Sequence, residues 1–319
     1  MRRPLAGALL VLAGCLCRAD AAETARPAAP TREPKRAEFR RKTEERLARL
    51  VSGLQGASGY VIRDLAGGEG FEKDAGAVFP AASTIKLPIF LDLLKRSEEG
   101  RLDLARPVPI DPKTRVEGGG VLEKWSEPYP VLSADQLTVL MMDFSDNYAT
   151  NVLIDLVGMD SVQKRLDAWG MRETLLRRRM MDLDAARAGR ENVTTPREMA
   201  GLLERLYRGE VLNAAHTRRA IEIMKRNEKT PLKRGLPPGV PAADKDGDLD
   251  GLRCDSGIVF VAGRSADGAD AARPFVISVM TAYLQDDRAG EAFIGEVTRV
   301  AWDYFEALAR STEYGRKID

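Results

Sequence analysis

The residues with the clearest capacity for chemistry are Ser83 and Lys86, which are three positions apart. Positions i and i+3 share a helix face, so the Lys86 amine can reach the Ser83 hydroxyl. A helix N-terminus and partial burial both disfavour positive charge, and both would lower the pKa of this lysine toward that of a usable base. A hydroxyl beside such an amine predicts nucleophilic catalysis through a covalent intermediate on Ser83.

The histidine count supports a lysine base. The chain of 319 residues contains one histidine, His216, which excludes metal sites and relays that need two. His216 lies in a polar helical segment with no accompanying motif, so we expect a surface or structural role. If the protein is an enzyme, its base is therefore expected to be a lysine, an aspartate or a glutamate.

A second Ser-x-x-Lys pair, Ser161 and Lys164, differs from the first in its surroundings. Ser161 opens an amphipathic segment with polar neighbours, where a serine is an ordinary helix N-cap and the lysine is solvated. Ser83 instead follows a predicted strand and opens an almost wholly apolar helix, Thr84 to Arg96. The context therefore favours Ser83 and Lys86 as the catalytic pair.

Two further polar motifs follow along the chain, Ser145-Asp146-Asn147 and Lys245-Asp246-Gly247. Taken alone, the first also fits a helix end followed by a new N-cap, and the second fits a polar turn. The segment DKDGDLDG around the second lacks the 12-residue calcium-loop pattern with its closing glutamate. We predict no metal ligand set and no cofactor.

In this order, the three motifs resemble the set S-x-x-K, S-D-N and K-T-G of class A β-lactamases and penicillin-binding proteins. The surrounding segments are similar as well: FPAASTIKLPI, GGGVL, SDNYATNVLIDLVG, NVTTPREMA and DSGIV. The similarity extends over residues 60–308, nearly the whole globular part. The chain is identified as a divergent member of this serine β-lactamase-like family.

The resemblance implies a role for each motif residue. Ser83 would attack an amide carbonyl and become an acyl-enzyme, with Lys86 taking its proton directly or through water. Ser145 would relay a proton to the leaving nitrogen. Asn147 would bind the amide side arm of the substrate, and Lys245 would place positive charge near the substrate carboxylate.

The third motif is further implied to form the edge of the substrate site. Gly247 and Asp248 would line it, and the backbone N–H groups of Ser83 and Asp248 would form an oxyanion hole. Asp246, however, stands where the family has a threonine or serine that offers a hydroxyl to the substrate carboxylate. An ionised Asp246 would repel that carboxylate unless it pairs with Lys245 or Arg253. Arg253 could supply positive charge to the substrate, although a solvated surface arginine also fits.

A second departure concerns the loop at residues 177–191. Class A β-lactamases carry there a glutamate that activates the deacylating water, whereas this chain has RRRMMDLD over residues 177–184. Met181 or Asp182 falls nearest, and Asp182 could replace that glutamate as the base, although its side chain is one methylene shorter. Glu191 comes late, beside Asn192, where the family has a loop-closing contact. Without a deacylating base, the acyl-enzyme is expected to persist.

Three functions are therefore compared. The first is an exported serine hydrolase that opens β-lactam amides, and the second is a D-alanyl-D-alanine peptidase or slow penicillin-binding protein acting on peptidoglycan. The third, of another class, is a non-catalytic envelope protein that binds peptidoglycan or a partner. A formal net charge of +1 excludes nucleic acid as a partner. We expect a monomer.

The first residues predict an export signal, with Arg2 and Arg3 before an apolar core too short to span a bilayer. Leu12-Ala13-Gly14-Cys15 resembles the bacterial lipoprotein box, which implies lipidation at Cys15, and the alternative is ordinary cleavage near residues 19–21. We predict a signal over residues 1–15, a tether over 16–36 and a catalytic domain over 37–319. The expected location is the periplasm or cell envelope, and no other segment is apolar enough to span a membrane.

The remaining elements must position these motifs. Strands are expected near both ends of the domain, Tyr60 to Leu65 with Phe71 to Phe79, then Gly257 to Ala262 and Phe275 to Tyr283. Helices are expected at Ala37 to Gly53, Ser133 to Phe144, Tyr148 to Val157, Val162 to Trp169, Thr195 to Arg208, Ala214 to Lys225 and Gly290 to Ala309. The predicted fold is α+β, with a mainly antiparallel sheet from residues 37–82 and 226–319 and an inserted helical lobe at 83–225. Cys254, the lone cysteine of the globular part, is expected to be buried.

Overall fold

The computed structural model describes residues 33–126, 128–129, 131–263, 272–312 and 314–317. The predicted export signal, Cys15 and most of the predicted tether lie outside these residues. Within the described part of the chain, none of the helices is long and apolar enough to cross a membrane.

Ten α-helices and nine strands are described. The helices are α1 (Glu33–Gly53), α2 (Lys86–Glu98), α3 (Ala134–Asp143), α4 (Asn147–Val157), α5 (Met159–Ala168), α6 (Leu183–Arg187), α7 (Pro196–Tyr207), α8 (Ala214–Met224), α9 (Pro231–Arg234) and α10 (Asp287–Ala309). The strands are β1 (Ala57–Asp64), β2 (Gly70–Lys73), β3 (Phe79–Pro80), β4 (Pro107–Val108), β5 (Leu132–Ser133), β6 (Val193–Thr194), β7 (Ala242–Leu249), β8 (Leu252–Val259) and β9 (Phe275–Ala282). Short 3₁₀ turns occupy Ala82–Ile85, Pro112–Thr114 and Leu122–Lys124.

The main sheet has five strands in the order β2-β1-β9-β8-β7, and its strands come from both ends of the chain. Every pairing described in it is antiparallel. Two small antiparallel ribbons, β3 with β6 and β4 with β5, lie outside this sheet. The helices α2 to α8 fall between β2 and β7 along the chain. The predicted α+β architecture with an inserted helical lobe is confirmed.

The sheet separates two apolar cores, and alternate residues of its strands belong to each. On β9, Val276 and Met280 pack with the helical lobe, whereas Phe275, Ile277 and Val279 pack with α1 and α10. Successive side chains of a strand point to opposite faces, so a strand buried on both faces is apolar throughout. This packing fixes the register that presents the third motif to Ser83.

Several predicted boundaries were wrong. Helix α1 begins at Glu33, so the predicted tether ends before residue 36. The predicted strand Phe71 to Phe79 divides into β2 and β3, which belong to different sheets. Strand β8 begins at Leu252 rather than Gly257, α10 begins at Asp287 rather than Gly290, and the loop at residues 177–191 contains the short helix α6.

The largest difference is strand β7, which carries the third motif in place of a turn. Its sequence, AADKDGDL, is too polar to resemble a strand, and it forms one because β8 supplies a full ladder of backbone partners. Strand propensity depends strongly on such context.

Candidate active site

Ser83 lies in the 3₁₀ turn Ala82–Ile85, immediately before α2 begins at Lys86. Ala82 has a φ of 43°, a left-handed conformation that non-glycine residues seldom adopt. Such strain is found at functional sites, where the surrounding structure holds it in place. The Ser83 side chain is partly exposed, whereas Lys86 is fully buried. The predicted Ser-x-x-Lys geometry is therefore present.

The Lys86 amine lies among four oxygens. Its Nζ is 2.9 Å from Ser83 Oγ and 2.8 Å from Asn147 Oδ1, and it is 2.6 Å and 3.1 Å from the backbone oxygen and Oγ of Ser145. The Ser145 carbonyl and the Asn147 amide oxygen can only accept hydrogen bonds. A neutral amine donates its two protons to them and keeps its lone pair for a serine hydroxyl. The contacts therefore suit an uncharged lysine that accepts a proton.

The electrostatics favour the same protonation state. Burial is the largest influence that lowers the pKa of Lys86 well below its ordinary value, and the positive charge of Lys245 lowers it further. Nearby carboxylates oppose this shift, and they belong to Asp146, Asp248 and Asp246. The helix N-terminus need not be invoked.

The second motif forms the joint between α3 and α4. Ser145 has a φ of 53°, which turns the chain sharply between the two helices and leaves its hydroxyl partly exposed beside Lys86. Asn147 donates from Nδ2 to the Gly118 oxygen at 2.9 Å while its Oδ1 accepts from Lys86. Asn147 thus orients the lysine and the segment at Gly118. The implied contact of Asn147 with a substrate side arm stays a prediction.

Asp146 is a structural clamp at this joint. It is fully buried, and its carboxylate accepts from the N–H groups of Val121 and Leu122, both at 2.7 Å, and of Ala149 at 2.8 Å. A Cβ on Gly120 would lie 2.5 Å from the Asp146 carboxyl, so only glycine permits this approach. The clamp ties the segment at Gly118 to the start of α4.

Replacement of Asp146 by alanine should therefore lower the free energy of unfolding by ~3 kcal/mol, because it leaves buried N–H donors without partners. Urea unfolding followed by circular dichroism measures the loss. Asp111 is the matched control, since it caps an exposed 3₁₀ turn through one bond to the Lys113 N–H. Asp111→Ala should cost about 1 kcal/mol or less, and equal losses in the two variants would contradict the clamp.

The third motif runs along β7, at one edge of the main sheet. A Cβ on Gly247 would lie 2.8 Å from the Ser83 nitrogen, so glycine lets the strand backbone approach the nucleophile. Alternate N–H groups of an edge strand have no strand partner, which suits the expected oxyanion hole at Ser83 and Asp248. Cys254 lies beneath this contact, and burial raises its thiol pKa to about 12. Its predicted burial is confirmed.

The charges of the third motif pair with each other. Lys245 is 1% exposed, and its Nζ donates to Asp246 Oδ1 at 2.8 Å and to the Asp246 backbone oxygen at 2.9 Å. Burial opposes ionisation of Asp246, but the charge and hydrogen bond of Lys245 prevail, and the pKa of Asp246 is lowered. Of the two partners considered for Asp246, the structure places Lys245 against it.

Arg253 is engaged by α10, and the structure gives no support for its predicted place at the substrate. Its guanidinium contacts Asp287 at 3.1 Å and Glu291 at 3.5 Å, both on α10. It also donates to the backbone oxygens of Leu249 and Leu252. Because Cys254 faces the Ser83 turn, the preceding residue of β8 points to the opposite face of the sheet.

The loop at residues 177–192 is closed by interactions that the sequence indicated only in part. Glu191 forms an ion pair with Arg178 at 2.7 Å, and Asn192 accepts from the Arg178 N–H at 3.0 Å. Asn151, on α4, accepts from the Met180 N–H at 2.8 Å and donates to its carbonyl at 3.0 Å. These contacts hold Met180 against the helix that carries Asn147.

Asp182 does not occupy the position expected of a base. Its side chain is exposed, and it caps α6 by accepting from the Ala185 N–H at 2.9 Å. Met181 has a φ of 63°, and its thioether fills the space beside Gly118. Sequence reasoning missed Asn151 and Met180. The sequence could have indicated Asn151, because it follows Asn147 by one helical turn and therefore lies on the same helix face.

The remaining candidates have structural surroundings. The Ser161 hydroxyl accepts from Arg96 at 2.8 Å rather than capping α5, and Lys164 is exposed as predicted. His216 contacts Asn213 at 3.2 Å, at the start of α8. Across the described ranges, no group of three or more histidine, cysteine, aspartate or glutamate side chains could hold a metal ion.

Comparison with known proteins agrees with this arrangement. The chain is 30% identical to a β-lactamase regulatory protein of Streptomyces cacaoi over 139 residues, 43% of this chain and less than half (44%) of that protein. It is 28% identical to the β-lactamase CARB-3 of Pseudomonas aeruginosa over 208 residues, 64% of this chain and 72% of that enzyme. Among solved structures, PBP-A is similar with a TM-score of 0.73 and 29% identity, over 83% of this chain and 96% of that one.

The family model described as "Beta-lactamase enzyme family" matches residues 42–305. That range contains α2 with the Ser83 turn, the joint at Ser145 and the edge strand β7. Since the match covers most of the chain and includes all three motifs that converge at Lys86, the chain belongs to the β-lactamase enzyme family.

Proposed function

We propose that the chain opens β-lactam amides through an acyl-enzyme on Ser83 and releases the product slowly. One observation supports this most strongly: a fully buried lysine amine lies within hydrogen-bond distance of both Ser83 Oγ and Ser145 Oγ. The pKa of Lys86 is lowered well below its ordinary value, mainly by burial, and this favours the unprotonated amine that a base must be. A base must reach the proton that it removes, and this one reaches both hydroxyls.

The proposed reaction proceeds in two stages with three proton transfers. Ser83 Oγ bonds to the amide carbonyl carbon as its proton moves to Lys86 Nζ, and the carbonyl oxygen becomes an oxyanion. The oxyanion then reforms the carbonyl and the carbon–nitrogen bond breaks. Ser145 gives its hydroxyl proton to the leaving nitrogen and regains one from Lys86. The products are a serine ester and a free amine, and Lys86 is neutral again.

The loop supports slow hydrolysis of that ester. Its acids are engaged elsewhere, with Glu191 paired to Arg178 and Asp182 capping α6. This favours the second candidate, a penicillin-binding protein or D-alanyl-D-alanine peptidase. Another solved structure similar to this chain, at a TM-score of 0.73 and 27% identity, is a point mutant of PBP-A as an acyl-enzyme complex with penicillin G.

Intact-protein mass spectrometry after mixing with benzylpenicillin tests the proposal. We expect Ser83 to gain the mass of one penicillin and to keep it, since no loop carboxylate is placed to activate water. The Ser83→Ala variant should gain nothing, and an adduct on that variant would overturn the proposal. A transient adduct with continuous product release identifies a rapid β-lactamase. No adduct on the native chain favours a non-catalytic envelope protein.

We further propose that the protein is exported and held in the cell envelope through a lipid on Cys15. The support is the sequence of residues 1–17, with its basic start, short apolar core and lipoprotein-like box. The mass of the mature amino-terminal peptide tests this, because lipidation and cleavage near residue 20 give different peptides.

A further inference from the structure

We propose that Lys233, Asp244 and Asp255 form a buried cluster behind β7, closed by a proton on Asp255, that positions the third motif at Ser83. We call these three residues the rear cluster. The inference rests on the proposed acylation of Ser83 and assigns the three as positioning residues of that reaction. They act through the backbone of β7 and not on the reacting atoms.

The rear cluster lies on the face of β7 that points away from the nucleophile. Ala242 of β7 belongs to the core beside α10, and alternate residues of a strand share a face, so Asp244 points to the same side. Asp255 of β8 pairs in register with Asp246 and shares this face as well. Lys233 belongs to α9, which packs against both strands.

Lys233 joins β7 to the helical lobe. Its Nζ is 2.8 Å from Asp244 Oδ1. The same amine lies within hydrogen-bond distance of three backbone oxygens at the end of α8, those of Met224, Lys225 and Asn227, at 3.4, 3.1 and 2.5 Å. Free carbonyls at a helix C-terminus favour a cation. Because α8 packs against α2 and α3, one ammonium group ties the strand of the third motif to the helices beside the other two.

Asp255 is fully buried, and its two oxygens differ in their partners. Oδ2 accepts from the Leu232 N–H at 3.0 Å, whereas Oδ1 meets no donor within the described chain. Asp244 lies within hydrogen-bonding reach, and Asp246 stands directly opposite on β7, so an ionised Asp255 would face two carboxylates. A proton on Oδ1 removes this repulsion and can be donated to Asp244.

The electrostatics favour one proton for the two buried carboxyls. Burial raises the pKa of Asp255 well above its ordinary value, and the charges of Asp244 and Asp246 raise it further. Burial also raises the pKa of Asp244, but the charge of Lys233 opposes that shift. The negative charge therefore stays on Asp244 beside the ammonium group, and the proton stays on Asp255.

The other elements packed against Asp255 do not offset this repulsion. Val279, its partner on β9, is apolar. From α9, the Thr230 hydroxyl is directed to the same carboxylate as Lys233. The charged side chains of α10 on this face form ion pairs with arginines of β8 and α9: Asp287 with Arg253, and Glu291 with Arg253 and Arg234.

The rear cluster matters for the reaction because β7 is an edge strand. In the main sheet it pairs with β8 alone, and its other edge is the one beside Ser83. The ion pair and the shared proton hold its backbone at position 244, next to Lys245. A misplacement of about 1 Å can slow a reaction by about 10²-fold. Loss of the cluster should therefore slow the chemical step even in folded molecules.

The first test measures the acylation rate constant of the full chain at saturating benzylpenicillin, by quenched-flow and intact mass. Lys233→Met should lower it by at least ~10-fold. Lys233→Arg keeps the charge and the donors, so its rate constant should stay within about three-fold of the native value. Asp244→Asn, which also removes the ion pair, is the second variant should Lys233→Met fold poorly.

Arg273→Met is the matched control. Arg273 pairs at 3.2 Å with Asp64, whose side chain is as buried as that of Asp244, but Asp64 lies on β1, which β9 and β8 separate from β7. The control should lose stability and keep the native rate constant. Unchanged acylation in the Lys233→Met and Asp244→Asn variants overturns the positioning role, and so does an equal slowing in Arg273→Met.

The second test detects the proton on Asp255. Asp255→Asn offers an N–H donor in place of the O–H and does not titrate. Above the ordinary pKa of 3.8 the unfolded chain loses this proton and the folded chain keeps it, so the native protein becomes less stable relative to Asp255→Asn as the pH rises. Its unfolding equilibrium constant, relative to that of the variant, should increase about ten-fold per pH unit.

Urea unfolding of both proteins between about pH 5 and 7 measures this ratio. A ratio that does not change with pH overturns the proton on Asp255. In each of these outcomes penicilloyl adducts still form, so the proposed function stands. If the native chain forms no adduct, the proposed function fails, and the positioning role fails with it.

Discussion

Replacement of Lys86 by methionine should lower the rate of acylation of Ser83 by ~10²–10⁴-fold, the usual contribution of a positioned base. Methionine has similar length and cannot accept a proton. The rate is measured as the appearance of the penicilloyl adduct by mass spectrometry. Lys164→Met is the matched control, because Lys164 follows Ser161 at the same spacing and is exposed. A similar loss in both variants would contradict the assignment of Lys86.

Lys86→Met should also change how the free energy of unfolding depends on pH, and this can be measured without any assay of activity. The pKa of Lys86 is lowered in the folded state from its usual 10.5, so between the two values the unfolded chain binds more protons. The free energy of unfolding of the native protein therefore rises with pH through this window. Lys86→Met has no such group, so its stability relative to the native protein should fall as the pH approaches 10.5. A difference independent of pH would show that the buried amine stays charged.

Introduction of a glutamate at Met180 should shorten the lifetime of the acyl-enzyme by ~10²-fold or more, because it supplies the general base that the loop lacks. Met180 is buried and held by Asn151, one helical turn from Asn147 and its contact with Lys86. A carboxylate there lies next to the residues that surround the ester. The lifetime is measured by removing free benzylpenicillin and following the loss of the adduct mass.

Asp182→Glu is the control for this prediction, since it lengthens an existing carboxylate of the same loop. Asp182 is exposed and caps α6, so the adduct lifetime should not change. If Asp182→Glu shortens the adduct lifetime and Met180→Glu leaves it unchanged, the deacylating position belongs to the exposed residue 182. Because a buried glutamate destabilises an apolar cluster, the folded fraction of Met180→Glu is checked by circular dichroism.

The three motifs could be predicted because each is local. A serine and a lysine one turn apart meet wherever a helix forms, and the order of the motifs indicates the family. The convergence of Ser145 and Asn147 on Lys86 depends on how α3 and α4 join, through the left-handed Ser145 and the buried Asp146. Polarity alone would assign that joint to a surface turn. Only the family resemblance placed it in the site.

The misplaced residues have physical causes. Strand β7 forms despite its polar sequence, because β8 and the ion pairs Lys245–Asp246 and Lys233–Asp244 stabilise it. Such pairing leaves no periodic pattern in the sequence from which a strand could be predicted. Arg253 could have been assigned to the far face from strand parity, since the lone cysteine next to it is apolar and buried. Asp182 was chosen by distance along the loop, but the backbone contacts of Asn151 decide which loop residue faces α4.

Strand β7 must leave part of its backbone unpaired if it is to bind a substrate carbonyl, and an unpaired strand edge is also a template for another sheet. Its acidic residues alternate along the strand at positions 244, 246 and 248, and Asp250 follows just beyond its end. Two copies of this edge brought together would place carboxylates close to carboxylates, which disfavours pairing between strands. The charges along this strand would thus keep the protein from aggregating through the edge on which its chemistry depends.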